Sequence, residues 1–308
     1  MPVVLLSSLK KYPLRVIGIT SMTDSGGSGG YFRQKFEVLP PSDIRRHILA
    51  LSNAPVWKKN LWQFRFGQEV FEDGHQGHVF ANAFISGLEI AFKNYNKVIE
   101  YIHNFMEIGE NAALPAAIQP ANLFAELENG QIIQGEAEID VPKLHNPNLK
   151  IKRVFLNPPV KIFNKTRKEI LDADIIIIGP GDLYSSIIPC FLPEGASAAL
   201  KKSKAKKIFI CPTIGKPGET QDFSIVQLAD EIEKYIAMDL DFVLYHHLPL
   251  NINLLAEYNR KNSLNCTPLK IDANLDKNKF IAADILKTNE FAYDSRKIIK
   301  QIFKIAKI

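Results

Sequence analysis

The stretch Asp174-Ile175-Ile176-Ile177-Ile178-Gly179-Pro180-Gly181-Asp182-Leu183-Tyr184-Ser185-Ser186 decides the fold class. Four consecutive isoleucines without alternation read as a strand buried on both faces, the usual situation in a parallel sheet. Gly179-Pro180-Gly181 then breaks the strand, and Ser185 and Ser186 open a helix. Those serines either cap that helix or donate to an anion together with its free N–H groups. Short apolar runs of the same kind recur at Lys207–Cys211 and Phe242–Tyr245, with helical spacing at Glu194–Ser203 and Ile225–Ala237 between them. Repeated strand–helix–strand units imply right-handed βαβ crossovers and a doubly wound, mostly parallel sheet with helices on both faces.

Toward the N-terminus, Leu14–Thr20 reads as another short buried strand, followed by a Gly/Ser cluster. Ser42-Asp43 with Ile44, Ile48, Leu49 and Leu51 marks a helix start at 3.6-residue spacing. Phe80–Phe92 and Asn96–Met106 are two more helices, and Lys165–Leu171 a third. Leu123–Leu127, Asn129-Gly130 and Gln131–Ile139 form a hairpin signal, because Asn-Gly suits a type I′ turn. This gives one α/β domain over residues 1–308, with a hairpin insertion at about 122–140. Ile151–Leu156 is a further strand. The last segment, 292–308, is an amphipathic helix whose apolar stripe is expected to dock on the sheet.

The 308 residues are 46% hydrophobic and 23% charged, which excludes disorder as the dominant state. A net charge of +5 without a concentrated basic face argues against nucleic acid. Three scattered cysteines, Cys190, Cys211 and Cys266, form neither a disulfide framework nor zinc spacing. No apolar run approaches the ~20 residues of a membrane span. A cytoplasmic protein is expected.

Chemistry concentrates in loops after strands, where ligands of open α/β sheets bind. After the first strand come Asp24, Ser25, Gly26, Gly27 and Ser28, able to turn N–H groups toward an anion or, through Asp24, to hold a metal ion. Asp43 opens the Ser42 helix, where it either caps the N-terminus or serves a ligand. Arg45 and Arg46 stand in the same turn, which disfavours cations, so that either an anionic partner or a simple salt bridge is expected there. His78 and Asn82 share one helix face. Gly179, Gly181, Asp182, Tyr184, Ser185 and Ser186 form the third loop, and Thr213, Gly218, Glu219 and Thr220 the fourth. Loops at three strand ends of one sheet point to a ligand crevice. His246-His247 follow a strand and either face that crevice or the surface, and Tyr258 reads as a packing residue. HExxH is absent and no serine nucleophile elbow is read, so the sequence supports neither a zinc hydrolase nor a serine-elbow enzyme.

Asp24–Arg33, Leu39–Ser52, Gly77–Asn82, Gly179–Leu192 and Pro217–Ser224, in this order, resemble the gluconeogenesis factor (YvcK-like) family of the CofD-like superfamily. The combination of Leu39-Pro40-Pro41, Asp43-Ile44-Arg45-Arg46 and Gly179-Pro180-Gly181 with Leu183-Tyr184 carries the specificity, and the likeness spans Tyr12 to about Asp272. It implies a Rossmann-like fold and a cytoplasmic, UDP-sugar-binding regulator tied to gluconeogenic growth, cell-wall synthesis and cell shape. Related CofD proteins imply the alternative: a magnesium-dependent transferase moving a phospholactyl-type group to a deazaflavin, with Asp24 and Asp43 as the metal candidates. A nucleotide or nucleotide sugar is the implied ligand, and a homodimer is compatible with the reading. The chain departs from the family pattern in several places. Its first strand and Gly-Gly-Gly-Thr-Gly loop are expected to be missing ahead of Lys10–Pro13. Ser25 replaces a second aspartate, Ala81 and Ser42 replace glycines, Gln227-Leu228 stands where an Asp-His pair is usual, and Ala292-Tyr293 replaces Arg-His before Asp294.

Overall fold

A computed structural model describes residues 2–67 and 77–307, so Met1 and Ile308, in the expected first and last helices, lie outside the described residues. The chain runs α1 (Pro2–Leu9), β1 (Ile17–Thr20), α2 (Gly27–Phe36), α3 (Ser42–Leu51), α4 (Val56–Gln63), α5 (Phe80–Phe92), α6 (Tyr95–Phe105), β2 (Ala112–Pro115), β3 (Asn122–Leu127), β4 (Ile132–Gln134), α7 (Glu136–Asp140), β5 (Ile151–Asn157), α8 (Asn164–Asp172) and β6 (Ile175–Ile178). A π-helical turn at Leu183–Ile187 and a 3-10 turn at Ile188–Cys190 follow. Then come α9 (Ala196–Lys202), β7 (Lys206–Ile210), β8 (Ile214–Gly215), α10 (Ile225–Ile236), β9 (Phe242–His246), α11 (Ile252–Asn262), β10 (Thr267–Pro268), β11 (Phe280–Ala283) and α12 (Ser295–Ala306).

Strands β6, β7, β9 and β11 form a parallel sheet in the spatial order β11-β9-β7-β6. Side chains alternate between its faces with period two. Ile208, Ile210 and Leu244 join a core built with α1, α3, α5, α6 and α12. Phe209, Cys211 and Val243 join another, built with α9 and α10 on the opposite face. Helices therefore cover both faces, as the doubly wound reading requires. Helix α12 docks through Ile298, Ile299 and Ile302, each about 1% exposed. Burying each such side chain is worth roughly 1.5–3 kcal/mol.

Three expectations change. Among the described residues, strand β1 pairs in parallel with β2 alone, a strand not read from the sequence, so the first loop does not belong to the sheet of β6 and β7. The hairpin's second strand stops at Gln134, because Gly135 at φ 102° turns the chain into α7 rather than on to Ile139. β5 pairs along the other edge of β3, giving an antiparallel sheet β4-β3-β5. Lastly, α3 begins at Ser42 with Pro41 at its N-cap, which places Asp43 inside the first turn rather than at the cap. A carboxylate there still suits the positive end of the helix dipole.

One departure from the expected pattern, Gln227, and one residue that keeps it, Asp294, both have structural uses. Gln227 completes a capping box with Ser224 at the start of α10, each side chain bonding the other's backbone N–H. Asp294 caps α12, accepting from the N–H groups of Arg296 and Lys297.

Candidate functional site

A cavity of about 280 Å³ opens where the loops after β1, β6 and β7 meet. The backbone turns after β6 and β7 leave Gly181, Asp182 and Ser186 on one side and Thr213, Glu219 and Thr220 on another. Asp43, Arg46 and His47 on α3 form a charged wall, with Thr20 and Ser21 from the end of β1 beside it. Facing these is an aromatic wall of Tyr258, Phe291 and Tyr293. Tyr258 and Phe291 meet with ring centroids 5.2 Å apart. Tyr258 is thus a lining residue as well as a packing one, and Arg46, His47, Lys216 and Tyr293 join it there. Cys190 and Cys266 also reach the cavity.

The floor is ionic. Glu219 is buried and accepts from Tyr184 N at 2.7 Å, Ser185 N at 3.2 Å and Ser185 Oγ at 2.7 Å. Ser185 accordingly binds Glu219 rather than capping its own turn, whose N-cap is Asp182 with no side-chain bond. The Lys216 ammonium bonds Asp140, on α7, and lies 3.7 Å from Asp182. Asp140, Asp182 and Glu219 each bring a carboxylate oxygen within 4.8 Å of the others. Burial pushes Glu219 up to about 8, and the Asp182 charge adds to it. Burial works against the Lys216 charge, yet Asp182, Glu219 and Asp140 together raise its pKa above that of an ordinary lysine. The Lys216 ammonium already supplies the positive charge that a metal ion would bring to this donor set.

The remaining predicted residues fall into a second centre. Ser25 Oγ accepts from Ala137 N at 3.1 Å, and Asp24 Oδ1 accepts from Gly26 N at 2.9 Å. Gly26 caps α2 and Gly27 starts it, so the expected loop is largely the first turn of a helix. Ser28 Oγ lies 3.1 Å from His78 Nδ1 and accepts from Asn82 Nδ2 at 3.0 Å. Asn82 Oδ1, Thr23 Oγ1 and Arg45 Nε are buried without a hydrogen-bond partner among the described residues. Arg45 does not line the cavity, and its carbonyl accepts from Trp62 Nε1. Gly179 ends β6, and Gly218 packs against Pro142. His246 and His247 line a separate hollow of about 190 Å³.

For a divalent cation, Asp24 and Asp43 supply hard oxygen donors. Burial, followed by the Asp24 charge, raises Asp43 to about 6, with Arg46 opposing at 3.5 Å. A buried carboxylate raised by its carboxylate neighbour, beside the orphaned Thr23 hydroxyl, fits such an ion. His47 accepts no proton readily: burial lowers it to about 4.

A family model described as 2-phospho-L-lactate transferase CofD matches residues 3–286. The chain belongs to the CofD family. A gluconeogenesis factor from Halalkalibacterium halodurans is 32% identical over 262 residues, covering 84% of this chain and 79% of that protein. One from Listeria innocua is 38% identical over 223 residues, 72% of this chain and 66% of that protein. The crystal structure of a protein member of the UPF0052 family from Bacillus halodurans superposes with a TM-score of 0.87 at 28% identity, over 98% of this chain and 94% of that one. Among the described residues of this CofD-family chain, no helix is long and apolar enough to cross a membrane.

Proposed function

We propose that this protein is a cytoplasmic nucleotide-sugar-binding regulator of the gluconeogenesis factor type, linked to central carbon metabolism, cell-wall synthesis and cell shape. The observation that carries the reading is the two-walled cavity. Its aromatic side suits a planar base, and Arg46 with Lys216 suits phosphate. The carboxylates of Asp43 and Asp182 suit the hydroxyl and amide donors of a sugar or base. A ligand combining all three chemistries is a nucleotide sugar such as UDP-N-acetylglucosamine. The cavity sits at the lower end of the roughly 300–1,000 Å³ usual for ligand pockets, so part of such a ligand extends beyond the mouth. Kinship with proteins named gluconeogenesis factor supports the same assignment.

Isothermal titration with UDP-N-acetylglucosamine tests it. Saturable heat that Asp43→Ala and Tyr258→Ala each diminish supports the reading, and no heat from the folded protein removes it. A second reading, a magnesium-dependent transferase of phospholactyl-type groups, is favoured by the Asp24–Asp43 pair. Asp24 and Asp43 would hold the ion, which when bound neutralises phosphate charge. Product formation on a deazaflavin acceptor only with magnesium would move the assignment there.

A further inference from the structure

Asp140 does not line the cavity; Lys216 does, and it stands between the cavity and the arm that carries Asp140. That arm, residues 136–148, leaves the hairpin and crosses the loops after β1 and β7. Ile139, fully buried, anchors its first turn. Glu138 closes the arm on itself, accepting from Lys143 N, Leu144 N and His145 Nδ1. Hydrogen bonds hold it down at both ends. Ala137 N donates to Ser25 Oγ, Lys216 pairs with Asp140, Ser185 Oγ donates to Asp140 Oδ1 at 3.4 Å, and Gly218 N donates to Pro147 O at 3.0 Å. Gly218, at φ 84°, is pressed so close to Pro142 that a side chain would not fit. Of these attachments, only the Lys216 ammonium is also exposed to whatever fills the cavity.

We propose that Lys216 is a shared cation whose ammonium is drawn from Asp140 by an anionic ligand in the cavity, so that ligand entry loosens the 136–148 arm. The inference deepens the proposed function, since it supplies a regulator with an output, and it rests on that reading for the identity of the anion. Asp140 acts here as a positioning residue: it holds the ammonium at the cavity floor, 3.7 Å from Asp182, while the site is empty of ligand. A phosphate offers a formal charge at least as large and several acceptor oxygens, so it competes directly with one carboxylate. Once Asp140 is released, it regains water, and the arm keeps only its hydrogen bonds to neutral groups and Ile139.

Hydrogen exchange of the 136–148 amides, with two probes, tests the proposal. Inorganic pyrophosphate supplies the anion alone and UDP-N-acetylglucosamine supplies the whole proposed ligand. At saturation the arm should exchange about tenfold faster in the wild type, reflecting a lower cost of local opening. Asp140→Asn should give the fast arm without any probe and bind pyrophosphate at least as tightly as the wild type. Lys216→Met should abolish the response to both probes. Acceleration by pyrophosphate with no binding of the nucleotide sugar keeps this inference and removes the proposed ligand. An arm that neither probe accelerates, or an Asp140→Asn arm as slow as the wild type, overturns the inference.

Discussion

In the Gly-rich loop after β1, Asp24 and Arg33 make charged hydrogen bonds at the start and Ser25 and Ser28 make hydroxyl bonds beyond them, whereas the loop after β7 is held by buried charge. In the first, Ser28 joins His78 and Asn82, while Ser25 takes an N–H from the arm. In the second, Lys216 is set among Asp140, Asp182 and Glu219. Neutral networks lose about 1 kcal/mol per bond removed. A buried charge that loses its partner costs several times more, because its desolvation is left uncompensated. The two loops should therefore respond very differently to mutation, pH and salt.

The largest contrast is expected at Glu219. Glu219→Ala strips an acceptor from Tyr184 N, Ser185 N and Ser185 Oγ, all buried. It should cost about 3–5 kcal/mol in urea denaturation, because each buried donor left unpaired costs about 1–3 kcal/mol. Equal losses for Glu219→Ala and Ser28→Ala would erase the distinction between the two loops.

Next in size is the pH response. Glu219 and Glu136 are raised to about 8, chiefly by burial and then by neighbouring carboxylates. The folded protein thus keeps protons that the unfolded chain has released, and stability is lost as pH rises toward those values. His47, lowered to about 4, acts oppositely: its contribution is present above its unfolded value and fades as pH falls from about 6.5 toward 4. Between pH 6.5 and 8 only the carboxylates should count, so the melting temperature should fall across that window. Glu136→Gln should flatten the slope, and a slope unchanged by it would place the titration elsewhere.

Ser28→Ala follows, with an expected loss of about 1 kcal/mol that does not vary between low and high salt. A loss that shrinks with salt would mean that the His78 centre is ionic after all. The smallest stability effect belongs to Arg46→Ala. Its side chain is 59% exposed and its ion pair with Asp43 spans 3.5 Å, so the change should stay within about 0.5 kcal/mol. The same substitution should still weaken UDP-N-acetylglucosamine binding measured by titration, because Arg46 lines the cavity.

The sheet strands β6, β7 and β9 are legible because each carries a run of three or four apolar residues without alternation. Strand β2, Ala112-Ala113-Leu114-Pro115, is not: two alanines and a proline carry little strand preference, and β1 supplies the partner that makes it one. Helix α2 reads as a loop because Gly27, Gly29 and Gly30 sit in its first turns. Gly29 and Gly30 answer a packing need, since a Cβ would collide with Ser42 Oγ at the first and with the Ser25 carbonyl at the second, whereas Gly27 has open space and supplies a φ of 48°. For the site, loop residues such as Asp182, Thr213 and Thr220 are legible from their place after strands. Asp140 is not, because nothing within the hairpin's own sequence says that Lys216 lies beside its end. Phe291 and Tyr293 are likewise hidden, lying in a loop whose position depends on where α11 and α12 dock.

The Asp140–Lys216 pair joins positions whose numbers differ by 216 − 140 = 76. Closing a chain segment of that length carries an entropy cost that grows as about (3/2)RT ln n. The turn between β3 and β4, by contrast, closes over a handful of residues. Local pairings of this kind assemble early, and long-span contacts are reached only after the intervening elements are in place. The floor of the cavity is in this sense the keystone of the chain's folding order: the hairpin forms on its own account, whereas the arm at its end finds its mooring only when β6 and β7 have aligned.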